Sequence, residues 1–344
     1  MTTYADIFEQ PAILEKVISS QRPVVEKIAS EIVSRNIEYV FLVARGTSDN
    51  AGRYANYLLG AHNQLPLALA TPSLFTIYDQ PPKLKNALVI AISQSGKSPD
   101  INAVFSEGKK QGCFTLAITN HPESPLGQTA DACITLSAGS ENVGATKTYT
   151  AQLMAIAMLS AALDGDQKHW AEIPKVPDWV EEVLRQDSRI AQSSLRYRYM
   201  QRCVVLGRGY NYCTAFEWAL KMKELAYIAG EAYSSADFLH GPIALVEPGF
   251  PVMAVAPSGK AFASMYEPLK LMVDKHKVEL AVISDEEKAL NLAQVPMPLP
   301  KGIPEWLSPI IGIIPAQLFA YHLTRHRGLN VDTPRTISKV TETA

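Results

Sequence analysis

Residues 87–100 of this chain read ALVIAISQSGKSPD, a strand pattern that runs directly into a hydroxyl-rich turn. The apolar run from 87 to 92 has the length and the β-branched content of a buried strand. Pro99 suits the first turn of a helix. Unpaired amides and the helix dipole both favour negative charge at such a helix start. The stretch therefore predicts a strand, a turn and a helix N-terminus that together bind an anion.

The side chains of this turn indicate which kind of anion it binds. Its one charged residue is Lys97, and the neutral donors are Ser93, Gln94, Ser95 and Ser98. Neither the G-x-x-x-x-G-K-[ST] pattern nor the G-x-G-x-x-G pattern is present. These features favour a phosphate monoester on a small molecule over a nucleotide. An ordinary polar loop between strand and helix is the alternative.

Composition excludes several classes of protein. The chain has 344 residues, 47% of them hydrophobic, which indicates a globular protein of two medium-sized domains, with one large domain as the alternative. Its net charge of −2 gives no basic field for nucleic acid. No signal peptide and no apolar stretch of about eighteen residues is evident, so we predict a soluble cytoplasmic protein without a membrane partner. The four cysteines form no C-x-x-C pair and are predicted to be buried free thiols: Cys113, Cys133, Cys203 and Cys213.

Strand and helix patterns alternate through the first half of the chain. Helical spacing over 12–35, interrupted at Pro23, predicts two N-terminal helices. A strand at 38–44 then leads into a second hydroxyl-bearing turn at 45–48. Further strands are predicted at 114–118 and 132–136, with helices at 99–111 and 146–163. Such alternation implies a doubly wound parallel sheet whose ligand lies at the carboxyl ends of the strands.

The second half of the chain repeats the first. Ala44-Arg45-Gly46 matches Gly207-Arg208-Gly209, and Ser95-Gly96-Lys97 matches Ser258-Gly259-Lys260, both at an offset of 163 residues. We therefore predict a duplicated α/β fold with two flavodoxin-like domains. The predicted segments are N-terminal helices at 1–35, a first domain at 36–164, a second domain at 195–334 and a tail at 335–344. The first copy is expected to retain the phosphate site.

The second copy contains further candidate catalytic residues between 216 and 242. Lys221 and Glu224 are three residues apart, so they share one face of a helix. A solvated ion pair of little consequence is the alternative on spacing alone. His240 precedes Gly-Pro in a loop, where a structural histidine is the alternative to a catalytic one.

Several motifs, taken in order, resemble a known family. They are ARGTSDNAGRYA, ISQSGKSPD, GATKTYTAQL, ALKMKELAYIAGEAY, FLHGP and DTPRTISKVT. This ordered set resembles the isomerase half of glutamine:fructose-6-phosphate amidotransferase, a pair of sugar isomerase (SIS) domains. The resemblance runs from about residue 9 to the C-terminus.

The resemblance implies roles for individual residues. Glu224 would move a proton between C2 and C1, Lys221 would lie beside the sugar hydroxyls, and Lys339 would approach the substrate carbonyl. His240 would open the sugar ring, reaching the active site of the neighbouring subunit in a homodimer. The implied phosphate-binding positions are Ser48, Ser93, Gln94, Ser95 and Ser98, and other implied substrate positions are Gly46, Thr47, Val143, Ala145 and Thr146. No metal and no organic cofactor are expected, because no His/Cys/carboxylate group has metal-ligand spacing in the sequence.

Departures from the family pattern bear on the reaction. The segment Phe8–Pro11 resembles the joint that follows the glutaminase domain, so that domain is expected to be missing. Arg45, Lys97 and Ala145 replace a Cys, an acidic residue and a Ser that are usual in the family. The first expectation is therefore a glucosamine-6-phosphate deaminase that yields fructose 6-phosphate and ammonia. Alternatives are a fructosamine-6-phosphate deglycase, a galactosamine-6-phosphate deaminase/isomerase and a non-catalytic sugar-phosphate sensor.

Overall fold

The structure is a computed structural model that describes residues 2–337. Helices and strands alternate along nearly the whole of this range. As far as residue 172 they are α1 (Thr3–Phe8), α2 (Gln10–Val33), β1 (Tyr39–Val43), α3 (Thr47–Asn63), β2 (Leu67–Leu69), α4 (Ser73–Thr76), β3 (Ala87–Ile92), α5 (Pro99–Lys110), β4 (Phe114–Thr119), α6 (Pro125–Thr129), β5 (Ala132–Thr135), α7 (Lys147–Asp164) and α8 (Gln167–Glu172).

The second half has the same alternation. Its elements are α9 (Val176–Leu184), α10 (Asp187–Ser194), β6 (Arg202–Gly207), α11 (Tyr212–Ala226), β7 (Ala229–Ser234), α12 (Ser235–Leu239), β8 (Pro251–Val255), α13 (Phe262–His276), β9 (Glu279–Ser284), α14 (Glu287–Leu290), β10 (Val295–Pro298) and α15 (Ser308–His326).

The strands form two five-stranded parallel sheets of the same topology. The first has the order β2-β1-β3-β4-β5, and the second, taken from its other edge, has the corresponding order β7-β6-β8-β9-β10. Every residue of β3 and β4 is buried, as expected for central strands covered by helices on both faces. The predicted α/β class with two doubly wound parallel sheets is confirmed.

The chain divides into two compact units, one around each sheet. The first-sheet unit contains Ala12–Glu141 and Lys147–Pro174, and the second-sheet unit contains residues 2–11, Asn142–Thr146 and Lys175–Ile337. In the first-sheet unit, Val89, Phe105 and Ala117 belong to a core between sheet and helices. In the second-sheet unit, Leu206, Val252 and Leu280 belong to the corresponding hydrophobic core.

The N-terminal helices differ from the prediction. Helix α2 continues through Pro23, and the break between helices lies at Glu9. The predicted interruption at Pro23 is wrong because Pro23 faces solvent. Water can satisfy the carbonyl of residue 19 that loses its intrahelical partner, while the apolar residues on the opposite face keep the helix packed.

Apolar helices in this fold are core elements. Almost all of α15 is buried, and it packs against α9, α10 and α11 within the second-sheet unit. Within residues 2–337, no helix combines the length and the apolarity needed to cross a membrane.

The cysteines are free thiols. Cys113, Cys203 and Cys213 are buried and Cys133 is half-buried. Burial raises the pKa of Cys203 to about 12, so its thiol stays protonated at neutral pH.

Candidate active site

The predicted anion cradle lies at the carboxyl edge of the first sheet. The turn of residues 93–98 connects the end of β3 to the start of α5, and β3 is hydrogen-bonded to β1, which leads into α3. Helices α3 and α5 therefore start beside each other, at the point where the strand order reverses between β1 and β3. Ligands of doubly wound sheets bind at such a switch point.

Hydrogen bonds within the turn fix its shape. The amide of Gly96 donates to Ser93 Oγ at 3.1 Å, and the amide of Lys97 donates to Ser95 Oγ at 3.3 Å. Gly96 has φ +64°, and a Cβ there would collide with the side chain of Ser124. This position therefore requires glycine, and the turn is a rigid loop with half-buried hydroxyls at Ser95 and Ser98.

The neighbouring α3 contributes Ser48 to the same edge. Ser48 is buried in the first turn of this helix, and its Oγ accepts a hydrogen bond from Gln152 Nε2 of α7 at 3.0 Å. Gly46 precedes the helix with no side-chain cap, and Thr47 is half-buried. The fold thus brings the predicted first-sheet positions to adjacent helix starts.

Local charge at this edge is largely neutralised by the protein itself. Arg45 Nε donates to Asp100 Oδ2 at 2.7 Å, and Asp100 is completely buried. Burial raises the pKa of Asp49, an effect that Arg53 and Arg45 partly offset. Because Arg45 is paired with a buried carboxylate, the groups at this edge that suit an anion are hydroxyls, amides and helix starts, together with the exposed Lys97 of the turn.

The corresponding turn of the second sheet is filled by a carboxylate. Glu305 accepts hydrogen bonds from the amides of Lys260 and Ala261 at 2.8 and 3.0 Å, just before α13. Ser258 donates its hydroxyl to Asp285 at 2.7 Å. A Cβ at Gly259 (φ +140°) would collide with Glu305. An internal anion thus occupies the position that a phosphate would take, which supports the first copy as the phosphate site.

Replacing Glu305 by Ala is expected to lower the free energy of unfolding by about 1–2 kcal/mol, because two amides at a helix start lose their acceptor. Thermal or denaturant unfolding measures the change. Glu267→Ala, an exposed position on α13, is the control and should change stability by less than about 0.5 kcal/mol. Equal stability of the two variants would contradict the role given to Glu305.

The candidate acid-base residues lie on α11 in the second-sheet unit. Lys221 Nζ is 2.5 Å from Glu224 Oε2 and 3.4 Å from Glu217 Oε1. The side chains of Lys221 and Glu217 are 1% and 0% exposed, whereas Glu224 is 24% exposed. The solvated-pair alternative is therefore wrong. The buried ammonium group of Lys221 holds the carboxylate of Glu224, which still reaches solvent. Glu217 also belongs to this ion-pair group and was not predicted from the sequence.

Two other segments lie beside this group. A Cβ added at Gly144 would lie 3.3 Å from the Leu225 side chain of α11. Val143, Ala145 and Thr146 belong to the same second-sheet unit as α11. A cavity of about 430 Å³ is lined by Glu224, Tyr227, Arg335 and Ile337, among others. The Arg335 amide donates to Tyr227 Oη at 2.8 Å, and its guanidinium lies 4.1 Å from the Tyr227 ring centroid. These contacts anchor the chain at the end of α11.

Two predicted catalytic residues remain, His240 and Lys339. His240 caps α12, and its exposed side chain lies on a loop after β7. Within residues 2–337 the ion-pair partner of Glu224 is Lys221, so His240 is not joined to Glu224 in this chain. Lys339 lies outside the described residues.

Comparison with known proteins identifies the family. The SIS domain family model matches residues 35–162 and 198–327. The chain belongs to the SIS domain family. The two SIS matches contain the two parallel sheets, the 93–98 cradle and helix α11.

Relatives of this SIS protein include the isomerizing glutamine–fructose-6-phosphate aminotransferase of Gloeobacter violaceus, 34% identical over 353 residues. The alignment covers 97% of this chain and 57% of that protein, so the chain spans somewhat over half the length of this relative. The C-terminal domain of the Francisella tularensis glucosamine-fructose-6-phosphate aminotransferase has a TM-score of 0.86 at 28% identity, over 96% of this chain and 98% of that one. The predicted resemblance is confirmed.

A solved glucosamine-6-phosphate deaminase of Thermotoga maritima shares the fold. Its TM-score is 0.81 at 20% identity, with 100% of both chains covered. At this identity the likeness concerns the fold alone.

Proposed function

We propose that this SIS protein is a glucosamine-6-phosphate deaminase, which converts glucosamine 6-phosphate and water to fructose 6-phosphate and ammonia. The observation that carries the proposal is the partly exposed Glu224 carboxylate held by the buried Lys221. A sensor would need only the cradle, whereas a buried cation that positions a carboxylate has the geometry of a proton-transfer site.

The proposed steps balance without an external oxidant or reductant. Glu224 removes the C2 proton of the open-chain aldehyde, and O1 gains a proton as the enol amine forms. Glu224 gives a proton to C1, which forms the protonated ketose imine. Water adds at C2 and the nitrogen leaves, which yields the ketone, ammonia and one proton released to solvent. Lys221 stabilises the negative charge that develops on the substrate oxygens. The 93–98 turn and Ser48 hold the phosphate.

We include Lys339 as a group that approaches the substrate carbonyl. The support is its place in the chain, two residues after Ile337, which lines the cavity that contains Glu224. We assign Val143, Ala145 and Thr146 to sugar contacts on the support of their position beside α11.

A panel of aminosugar phosphates tests the proposal. Purified protein is incubated, without glutamine, with glucosamine 6-phosphate, galactosamine 6-phosphate or a fructosamine 6-phosphate, and free ammonia is measured. We expect the fastest release from glucosamine 6-phosphate, with equimolar fructose 6-phosphate. Faster release from another member would establish that alternative, and binding without release from any member would favour the sensor.

We also propose that His240 opens the sugar ring in the active site of a neighbouring copy. On the same surface segment, Leu239 and Leu245 are 41% and 43% exposed, and a second copy of the chain would cover them. An imidazole titrates near neutrality and can pass a proton between the ring oxygen and the anomeric hydroxyl.

Mixing two inactive variants tests this arrangement. In a dimer of one His240→Ala chain and one Glu224→Gln chain, one site would combine an intact Glu224 with an intact His240. We expect activity to return towards one quarter of the wild-type value in a random mixture with equal exchange. Heterodimers that form, as shown by differential tagging, without any return of activity would contradict the shared site.

A further inference from the structure

A compact group of metal-ligating side chains lies in the first-sheet unit, outside the candidate active site. His62, Asp164 and His169 each offer one ligand atom, and these atoms lie within 4.8 Å of one another. His169 Nδ1 is 2.6 Å from Asp164 Oδ2, and His62 Nδ1 is 3.9 Å from the same oxygen. Their side chains are between 12% and 21% exposed, so the group is sheltered but reachable from solvent.

The fold assembles this group from the ends of three helices. His62 is in the last turn of α3, Asp164 is the last residue of α7, and His169 belongs to α8. Asn63 and Ser160 join the two long helices by hydrogen bonds of 3.0 and 2.8 Å, which fixes their ends side by side. The helix pair thus holds two of the ligands on a rigid support.

Hydrogen bonding orients the carboxylate. Asp164 Oδ1 accepts from the amide of Asp166 at 2.8 Å, which leaves Oδ2 directed towards the two histidines. Such a bond to the second oxygen of a carboxylate is a common way to orient a metal ligand.

The local electrostatic field favours a cation. The C-termini of α3 and α7 both end at this group, and each carries partial negative charge. Asp164 adds a full negative charge, and the carboxylate of Glu172 acts on His62 from nearby.

We propose that His62, Asp164 and His169 form a binding site for a divalent transition-metal ion, with Zn²⁺ as the preferred ion. Two imidazoles and one carboxylate suit Zn²⁺ better than Mg²⁺ or Ca²⁺, which prefer ligand sets made of oxygen. The two rings are stacked, with centroids 4.5 Å apart and planes within 9°. Binding therefore requires one ring to rotate so that both nitrogens face the ion.

The site is remote from the phosphate cradle. Ser48 and His62 lie in opposite terminal turns of α3, and their fourteen-residue separation corresponds to about 21 Å at roughly 1.5 Å per residue. A metal here would clamp α3, α7 and α8 together and would not contact a ligand at the cradle. The proposal is consequently independent of the proposed deaminase reaction.

Metal binding to chelator-treated protein tests the proposal. Co²⁺ is added to the full chain, its absorption is recorded, and Zn²⁺ is then used as the competitor. We expect one equivalent to bind per chain. His169→Gln and Asp164→Asn should each weaken binding at least tenfold, whereas His121→Gln should not. His121 is a suitable control because it forms an exposed pair with Glu123, 2.9 Å apart. Binding that persists unchanged in the first two variants would overturn the site.

Nuclear magnetic resonance of the unmodified chain gives a second readout that needs no substitution. One equivalent of Zn²⁺ should shift the ring-nitrogen signals of His62 and His169 and leave those of His121 in place. Unshifted signals of His62 and His169 at saturating Zn²⁺ would show that the group is only a hydrogen-bonded His-Asp-His cluster.

Discussion

Replacing Glu224 by Gln is expected to lower turnover by about two decades or more, while the protein still binds the phosphorylated sugar. The substitution preserves the shape of the side chain but removes the basic oxygen that accepts the substrate proton. The buried Lys221 keeps Glu217 at 3.4 Å, so its charge is not left without a carboxylate and the fold should survive.

Turnover and ligand binding should be measured separately for this variant. Glu231→Gln is a matched control, because Glu231 is exposed on β7 and contacts Tyr233 rather than Lys221. We expect the control to retain wild-type turnover. Solvent-deuterium exchange at C1 or C2 that continued at the wild-type rate in Glu224→Gln would exclude Glu224 as the base.

Replacing Ser95 by Asp is expected to raise the Michaelis constant for a phosphorylated aminosugar by on the order of tenfold to a hundredfold. The new carboxylate would stand in the turn where a phosphate is proposed to bind, much as Glu305 fills the equivalent turn of the second sheet. Like charges a few ångströms apart repel strongly where solvent is partly excluded.

Ser95→Asn separates charge from size, because it has nearly the same volume as the Asp variant and no charge. We expect its Michaelis constant to lie much nearer the wild-type value. Saturation curves of the two variants provide the comparison. An equal rise of the Michaelis constant in Ser95→Asp and Ser95→Asn would show that side-chain size rather than charge is responsible. A Michaelis constant that stayed at the wild-type value in both variants would contradict the phosphate site.

Central strands of this fold were predictable, whereas three of the four edge strands were not. The run of apolar, largely β-branched residues predicted β3 at 87–92, because a strand covered on both faces needs apolar side chains throughout. Strands β2, β7 and β10 were missed. Strand β2 has only three residues, β7 has a polar sequence, and β10 contains two prolines. All three strands lie at sheet edges. A strand paired on one side tolerates such sequences.

The candidate site was predictable as far as local pattern extends. The hydroxyl turn and the three-residue spacing of Lys221 and Glu224 were visible in the sequence, but the burial of Lys221 was not. Glu217 lies four residues before Lys221, on the same helix face, and this spacing was the available signal for it. His62 and Asp164 are far apart in sequence and meet only because α3 and α7 end together.

The most direct test of the deaminase proposal is to follow glucosamine 6-phosphate with the protein in deuterated water by nuclear magnetic resonance, in the absence of glutamine. We expect fructose 6-phosphate carrying deuterium at C1, with one equivalent of ammonia, and loss of both products in Glu224→Gln. Glucosamine 6-phosphate that binds yet shows neither exchange at carbon nor release of ammonia would contradict the deaminase proposal.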